Sequence, residues 1–162
     1  TYKKEGESVK LISTNNFAVK ETSKLTTGTI SFQYMAHIAF DGWTAWTNLG
    51  SDAGLTGQSK RLEALQFSCS TYLPTFRARA YVQQIGWMPW VGLGDLVGTV
   101  GQSKRAEAFQ VDVPTSFATN VYYQVHTEKL GWMPLVGNGE IAGTMDQSRR
   151  VESFRMYMVI ID

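Results

Sequence analysis

The chain has 162 residues, of which 43% are hydrophobic and 12% aromatic, and its formal net charge at pH 7 is +1. Because the Lys and Arg residues are spread over the chain, this near-neutral balance argues against nucleic acid as the main partner. No apolar run reaches the roughly 18 residues of a membrane-spanning helix, and no charged-then-apolar leader opens the chain, so we expect a soluble protein without membrane insertion or targeting signal.

Few residues are available for metal or disulfide chemistry. Cys69 is the only cysteine, so it cannot form an internal disulfide, and His37 and His126 are the only histidines. These residues cannot assemble a His, Cys and carboxylate cluster at metal-ligand spacing. We therefore expect neither a metal nor a cofactor.

Residues 1–30 do not share the pattern of the rest of the chain. We expect an N-terminal extension there, with an accessory strand at residues 9–12 that closes the sheet containing residues 156–161. Residues 21–28 have the small, polar makeup of a connector.

From residue 31 onward one sequence motif, called the repeated phrase below, occurs three times. It consists of Gly-Trp and, further along the chain, Gln-Ser, a basic residue, Arg, any residue and Glu. The Gln follows the Trp by 15 positions in every copy, and the period is 44 and then 45 residues. Such self-similarity predicts a threefold architecture. A unit of this size cannot bury its own apolar face, so the three must share one core. The predicted units of this single domain, residues 31–162, are residues 31–70, 75–114 and 120–162.

Within each unit the pattern predicts strands separated by glycine turns. In the first unit, apolar residues alternate with more polar ones from Phe32 to Phe40, which indicates a half-buried strand leading into Gly-Trp. A glycine-rich turn with a very short strand follows. In the last strand, alternation places Glu63 on the core-facing side with Leu65 and Phe67.

The predicted fold is all-β, a threefold pseudo-symmetric single domain. Each unit has three clear strands, and a fourth is suggested across the unit boundary, for example at residues 116–120. We favour a β-prism-like arrangement, with the β-trefoil as the alternative, since both use units of roughly forty residues.

The tryptophans divide into two groups. A recurrent Trp beside a strand-ending Gly is most often a core residue, and a ligand platform is the alternative. This group is Trp43, Trp87 and Trp132. Trp46 and Trp90 follow a small residue or proline in a loop, and the third copy has Leu135 there, so ligand contact is as well supported as packing.

The repeated Glu is predicted to be a structural clasp, because a rim-buried carboxylate needs a partner and the Arg two residues earlier can supply it. The three acids are Glu63, Glu107 and Glu152. His37 and His126 share their position with Tyr81, which favours packing with a hydrogen-bonding tip over a role as a base.

Two roles are open for the polar residues of the turns: stabilising the turn and contacting a ligand. The serines that follow the repeated Gln would satisfy turn amides, whereas the Gln would project outward to read hydroxyl groups. The glutamines are Gln58, Gln102 and Gln147. Asp95 and Glu140 either cap the turn or accept hydrogen bonds from a ligand.

The sequence does not indicate an enzyme. An acyl-transfer enzyme needs a nucleophile with its base, and a glycosidase needs two carboxylates in different environments, but no motif marks such a set. We therefore expect no catalytic residue. A protein-interaction or scaffolding role is the rival, with Met88, Trp90, Met133 and Leu135 forming an adaptable apolar patch in loops.

The residues of the phrase carry a family resemblance. From Gly86-Trp87 to Glu107, and again from Gly131-Trp132 to Glu152, the chain resembles the ChW repeat, the clostridial hydrophobic repeat with a conserved Trp. All three units match, covering about residues 31 to 162. The first copy departs at Ser51-Asp52 and Leu55, and the third departs at Leu135 and Asp146.

The resemblance implies a module of secreted or cell-surface proteins of Gram-positive bacteria and their phages. Such repeats are appended to hydrolases or adhesion domains and are thought to bind polysaccharides or partner proteins. We expect non-catalytic, multivalent, lectin-like recognition of a cell-surface or cell-wall polysaccharide, serving adhesion or enzyme targeting. A protein–protein interaction module of a surface complex is the alternative.

Overall fold

The computed structural model describes the backbone of residues 7–14, 17–24 and 30–161 and the side chains of residues 30–161. Over these residues the secondary structure is entirely β, without a helix. An N-terminal hairpin consists of β1 (Glu7–Thr14) and β2 (Phe17–Lys24). The first repeat contains β3 (Phe32–Ile38), β4 (Gly42–Trp43), β5 (Thr47–Asn48), β6 (Ala53–Gly54) and β7 (Leu62–Cys69). The second contains β8 (Arg77–Val82), β9 (Gly86–Trp87), β10 (Val97–Gly98) and β11 (Ala106–Asp112). The third contains β12 (Ala118–Thr127), β13 (Gly131–Trp132), β14 (Val136–Gly137), β15 (Ile141–Gly143) and β16 (Val151–Ile160).

Each repeat builds its own antiparallel sheet on one pair of long strands. The pairs are β3 with β7, β8 with β11, and β12 with β16. The two-residue strand that carries Gly-Trp pairs with the far end of the first long strand, as β4, β9 and β13. The fold is therefore all-β and threefold pseudo-symmetric, and its three separate sheets match the prism-like prediction.

In every sheet one strand comes from another repeat. Strand β10 of the second repeat pairs with β7 of the first, and β15 of the third pairs with β11 of the second. Strand β6 of the first repeat pairs with β16 of the third, which closes the ring. The suggested fourth strand at residues 116–120 is wrong, because residues 118–120 are the beginning of β12.

The repeated Glu occupies a β-bulge. In the first repeat Leu62 pairs with Ile38 and Ala64 pairs with His37, so Glu63 is the extra residue between them. The same register shift skips Glu107 and Glu152. Because of the bulge, Leu62 rather than Glu63 joins the core, and the predicted core-facing position of the Glu is wrong. A bulged residue is left out of the ladder, so its carbonyl is free to accept another hydrogen bond.

That carbonyl joins one repeat to another. Glu63 accepts a hydrogen bond from the amide of Thr99 at 3.3 Å, and the two equivalent bonds close the other interfaces. Gly98 precedes Thr99 with φ 119°, and a Cβ built there would lie 3.0 Å from the Cα of Ala64 and collide with the Glu63 carbonyl. Gly98 is thus required by a close approach of two backbones, and Gly54 and Gly143 are its equivalents in the other repeats.

The core lies where the three sheets face one another. Phe154 of β16 packs edge-on against Tyr34 at 5.2 Å and Phe67 at 5.8 Å, and it also meets Phe109 and Tyr123. All five rings are buried. The Tyr34 hydroxyl donates to the Ser51 carbonyl and accepts from the Met156 amide of the third repeat, and the Tyr123 hydroxyl accepts from the Val111 amide of the second. Burial raises the pKa of both tyrosines.

Two further predictions need correction. Phe40 is not on the first strand: it lies in the turn after β3 with φ 72° and is 92% exposed. The accessory strand predicted at residues 9–12 lies within β1, but β1 pairs with β2 rather than with the sheet of residues 156–161. It is β2 that lies against β16. Residues 21–24 of the predicted connector belong to β2, and residues 25–28 are outside the described part of the chain.

Candidate functional site

All five tryptophans lie outside the buried core. The Trp of each Gly-Trp pair instead packs edge-to-face on an outward-facing residue of the adjacent long strand. The ring distances are 5.2 Å for Trp43 on His37, 5.5 Å for Trp87 on Tyr81 and 5.4 Å for Trp132 on His126. The core role predicted for these three is therefore wrong. The interior is filled by Phe and Tyr together with aliphatic residues, mostly from the long strands, and Gly-Trp lies at a sheet edge on its outer side.

The outer face of the first repeat presents two open indoles. Trp43 is 39% exposed and Trp46 is 42% exposed. Trp46 borders a cleft of about 280 Å³ that also includes Gln66, Ser68 and Gly94. The Gln66 amide donates to the Gly94 carbonyl at 2.6 Å, which fixes its orientation. An open ring face beside a fixed amide and a hydroxyl suits a ligand with both apolar C–H and hydroxyl groups.

On the second repeat, arginines cover the rings at the same positions. The guanidinium carbons of Arg77 and Arg79 lie 4.3 and 4.6 Å from the centroid of Trp90. Arg79 also lies 4.5 Å from the ring of Trp87. These distances are within the range of cation–π attraction. Arg79 is held in place by its Nε, which donates to Gln110 at 2.9 Å.

The outer face of the third repeat has a single covered indole. Arg155 lies 3.9 Å from the centroid of Trp132 and donates to Asp52 of the first repeat at 2.5 Å. Leu135, which replaces the second Trp, is buried against Tyr157. The three faces therefore differ in how much aromatic surface they offer to a ligand.

The predicted clasps are confirmed. Glu63 accepts from Arg61 Nε at 2.8 Å and contacts His37 Nδ1 at 3.0 Å. Glu152 has the same two kinds of partner, Arg150 and His126. Glu107 accepts from Arg105 Nε at 2.8 Å, while Tyr81 takes the place of the His and donates to Asp146 at 2.5 Å. His37 and His126 therefore pack with a hydrogen-bonding tip, as predicted.

The structure decides some of the roles predicted for the polar turn residues. Asp95 accepts from the Gly92 amide at 2.9 Å and Glu140 from the Gly137 amide at 2.6 Å, so both cap their turns as one reading predicts. Gln58, Gln102 and Gln147 are exposed, in agreement with outward projection. The serines that follow them have left-handed backbones, and within residues 30–161 their hydroxyls have no hydrogen-bond partner. The turn-amide role predicted for these serines is thus not observed.

The apolar patch proposed for a protein partner does not form. Met88 and Met133 are partly buried against the core, and Leu135 is buried. Trp90 is half-buried under two arginines.

The clostridial hydrophobic W (ChW) family model matches the chain three times, over residues 37–69, 81–114 and 126–159, which together make up more than half of it. The chain belongs to the ChW family. Comparison with curated proteins and with solved structures finds no match.

Departures from the ChW pattern coincide with contacts between repeats. Asp52 in the first copy pairs with Arg155, and Asp146 in the third binds the Tyr81 hydroxyl. That hydrogen bond raises the pKa of Tyr81. Where the first ChW repeat has Leu55 packed against the core, the others have Thr99 and Thr144, whose buried hydroxyls lack a partner within the described residues. The three ChW repeats are therefore not equivalent.

One arrangement was missed from the sequence: the basic ends of the three ChW repeats meet at one basin of about 430 Å³. Its lining includes the Ser and the Arg of each repeated phrase, namely Ser59, Arg61, Ser103, Arg105, Ser148 and Arg150. The signal was present, because identical segments in a threefold ring lie at equal distances from its axis. The basin thus receives the same two residues from each of the three repeats.

Other chemistry is sparse in the part of the chain that the structure describes. Residues 30–161 contain no group of three or more His, Cys, Asp or Glu side chains able to hold a metal ion. Burial raises the pKa of the Cys69 thiol, which disfavours the reactive thiolate. The described residues also include no helix long and apolar enough to span a membrane.

Proposed function

We propose that the protein is a non-catalytic, multivalent binding module that recognises a polysaccharide of a cell surface through its outer faces. The observation that supports this most is the placement of all five tryptophans outside the core. Exposing an indole forgoes roughly 25 cal/mol for each Å² that could have been buried, which favours a function for the surface.

The chemistry of the first outer face supports a sugar ligand. Sugars present C–H faces that stack on aromatic rings and hydroxyls that need polar partners. Trp46 supplies the ring, while Gln66 and Ser68 lie beside the same cleft. This face is the strongest of the three sites, because its indoles are the most exposed.

Repetition supports a polymeric ligand. A shallow sugar site of this kind binds near millimolar concentration, about −4 kcal/mol. Several such sites on one polymer gain roughly 10²- to 10⁴-fold by effective concentration. The covered faces still offer arginine donors and indole edges, so they act as weaker auxiliary sites. A secreted or cell-surface location, in adhesion or enzyme targeting, follows from such a ligand.

The test is retention of the protein on purified Gram-positive cell walls, with free wall saccharides as competitors. We expect retention that the saccharides reverse and that the double variant Trp46→Ala, Trp90→Ala loses while keeping its thermal unfolding transition. Trp46→Phe is the matched control, because it keeps an aromatic face and should retain most of the binding.

A protein partner is the other outcome of the same experiment. Retention abolished by protease treatment of the walls, and unaffected by saccharide, would replace the polysaccharide proposal with a protein-interaction module. Release of soluble sugar from the walls by this chain alone would contradict a non-catalytic role.

A further inference from the structure

The basin formed by the three repeated phrases is separate from the tryptophan faces and has its own chemistry. Besides the three serines and three arginines, it is lined by two apolar residues, Ala39 and Phe40, and by Lys60, Gln83 and Glu128. Its polar side chains are almost all hydrogen-bond donors or hydroxyls, and Glu128 is the one carboxylate among its lining residues. A ligand rich in acceptors is therefore required to match it.

Two of the arginines keep donors available. Arg61 and Arg105 each bind a buried Glu through Nε, and within the described residues their terminal guanidinium nitrogens have no hydrogen-bond or ion-pair partner. The guanidinium carbon of Arg61 also lies 5.8 Å from the centroid of the Phe40 ring. Arg150 differs, because its terminal nitrogens bind Glu128 and Glu152. The guanidinium groups of Arg61 and Arg105 each present their free donors as a planar fork, a geometry that suits oxyanions.

The donors are also fixed before any ligand arrives. The acids behind them, Glu63 and Glu107, are each 4% exposed and hold the guanidinium groups from beneath. A preorganised site loses less conformational freedom on binding. Because these carboxylates balance the arginine charge, binding depends on directed hydrogen bonds more than on a long-range field. We therefore expect weak to moderate affinity, on the order of millimolar or somewhat tighter.

We propose that this basin binds an oxyanionic group, either a phosphoryl or a carboxylate group, at the pseudo-threefold axis. The site is distinct from the saccharide-binding faces and does not depend on them.

The experiment is a titration of ¹⁵N-labelled protein with inorganic pyrophosphate and, separately, with malonate, each against sodium chloride at matched ionic strength. We expect saturable shifts of the Arg61 and Arg105 Nε–H signals with at least one of the two anions and not with chloride. The anion that saturates at lower concentration identifies phosphoryl or carboxylate as the preferred group. Absence of saturation with both anions overturns the proposal.

A matched pair of variants tests the location. Ser103 has φ 53°, a conformation that Asp and Asn tolerate, so Ser103→Asp adds a charge where Ser103→Asn adds only bulk. We expect Ser103→Asp to weaken anion binding about tenfold or more and Ser103→Asn to change it less than threefold. Equal effects of the two variants would overturn the proposal.

Two further variants complete the test. If Ser103→Asp does not fold, Glu128→Gln serves instead, since loss of the one lining carboxylate should strengthen anion binding severalfold; unchanged or weaker binding contradicts the site. Trp46→Ala should leave anion binding unchanged, so failure of the basin and failure of the saccharide proposal are distinguishable.

Discussion

The outer faces of the first and second repeats carry tryptophans at the same two positions, yet their surroundings differ. On the first face, no described cation lies over Trp43 or Trp46, and both are more than a third exposed. On the second, Arg79 lies over both Trp87 and Trp90, and Arg77 adds a second cation over Trp90.

The cause of this difference lies outside the repeated phrase. Arg77 and Arg79 are on β8, where the equivalent positions of β3 hold Gln33 and Met35. The phrase thus fixes where the indoles stand, and the preceding strand decides whether they are open. One architecture can therefore carry faces that expose different amounts of aromatic surface.

The largest expected effect is on the open face. Trp46→Ala should weaken binding of a wall oligosaccharide about tenfold, because stacking on an exposed ring is lost. Trp90→Ala should weaken it less than threefold, since its ring is already covered. Isothermal titration calorimetry of each single variant with the oligosaccharide measures both changes in affinity. A larger loss for Trp90→Ala would reverse the ranking of the two faces.

The first face should become covered when it is given an arginine at the position of Arg79 on the second face. Met35→Arg is expected to place a guanidinium among the first-face indoles and reduce saccharide binding about fivefold through competition for the ring. Met35→Gln is the control, because the third repeat has Gln124 at this position. Equal binding by the two variants, measured in the same titration, would show that the arginine does not control access.

The reverse exchange should open the second face at some cost in stability. Arg79→Met removes two cation–π contacts and the hydrogen bond to Gln110, so we expect a loss of about 1 kcal/mol in the free energy of unfolding. Saccharide binding should rise about threefold. Urea denaturation and titration measure the two effects. Arg79→Lys keeps the charge without the planar group, and it should recover little of the stability if stacking is the cause.

The smallest expected effect concerns the turn that follows each short strand. Thr99 buries a hydroxyl that has no partner among residues 30–161, whereas the first repeat has Leu55. Thr99→Val should therefore raise the free energy of unfolding by less than about 1 kcal/mol. Thr99→Ser, which keeps the hydroxyl, should not stabilise. Urea denaturation measures the free energy of unfolding of both variants. Destabilisation by Thr99→Val would mean that the hydroxyl has a partner.

Much of the fold could be predicted because its signals are local. The repeat period, the strand leading into each Gly-Trp and the Glu–Arg clasp two residues apart are all written within short segments. The bulge at Glu63 could not be predicted, because alternation assumes an unbroken ladder. For the same reason the sequence placed Glu63 toward the core and Phe40 on a strand.

The exposure of the candidate site residues could not be predicted from the sequence. Trp46 and Trp90 occupy the same position of the repeat, although one is open and the other lies under Arg77 and Arg79. Cover of this kind depends on which side chains of β8 meet the loop that follows β9. Residue spacing alone does not contain that information.

The sequence by itself determined that three like units form one all-β ring and that glycine, tryptophan and the Glu–Arg pair recur at matched places. Only the tertiary structure decided that each sheet borrows a strand from another repeat, that the tryptophans lie outside, and that three basic segments meet at one basin. The physical reason is distance along the chain. Local patterns encode local conformation, whereas these features arise from contacts between residues in different repeats, which form only when the ring closes.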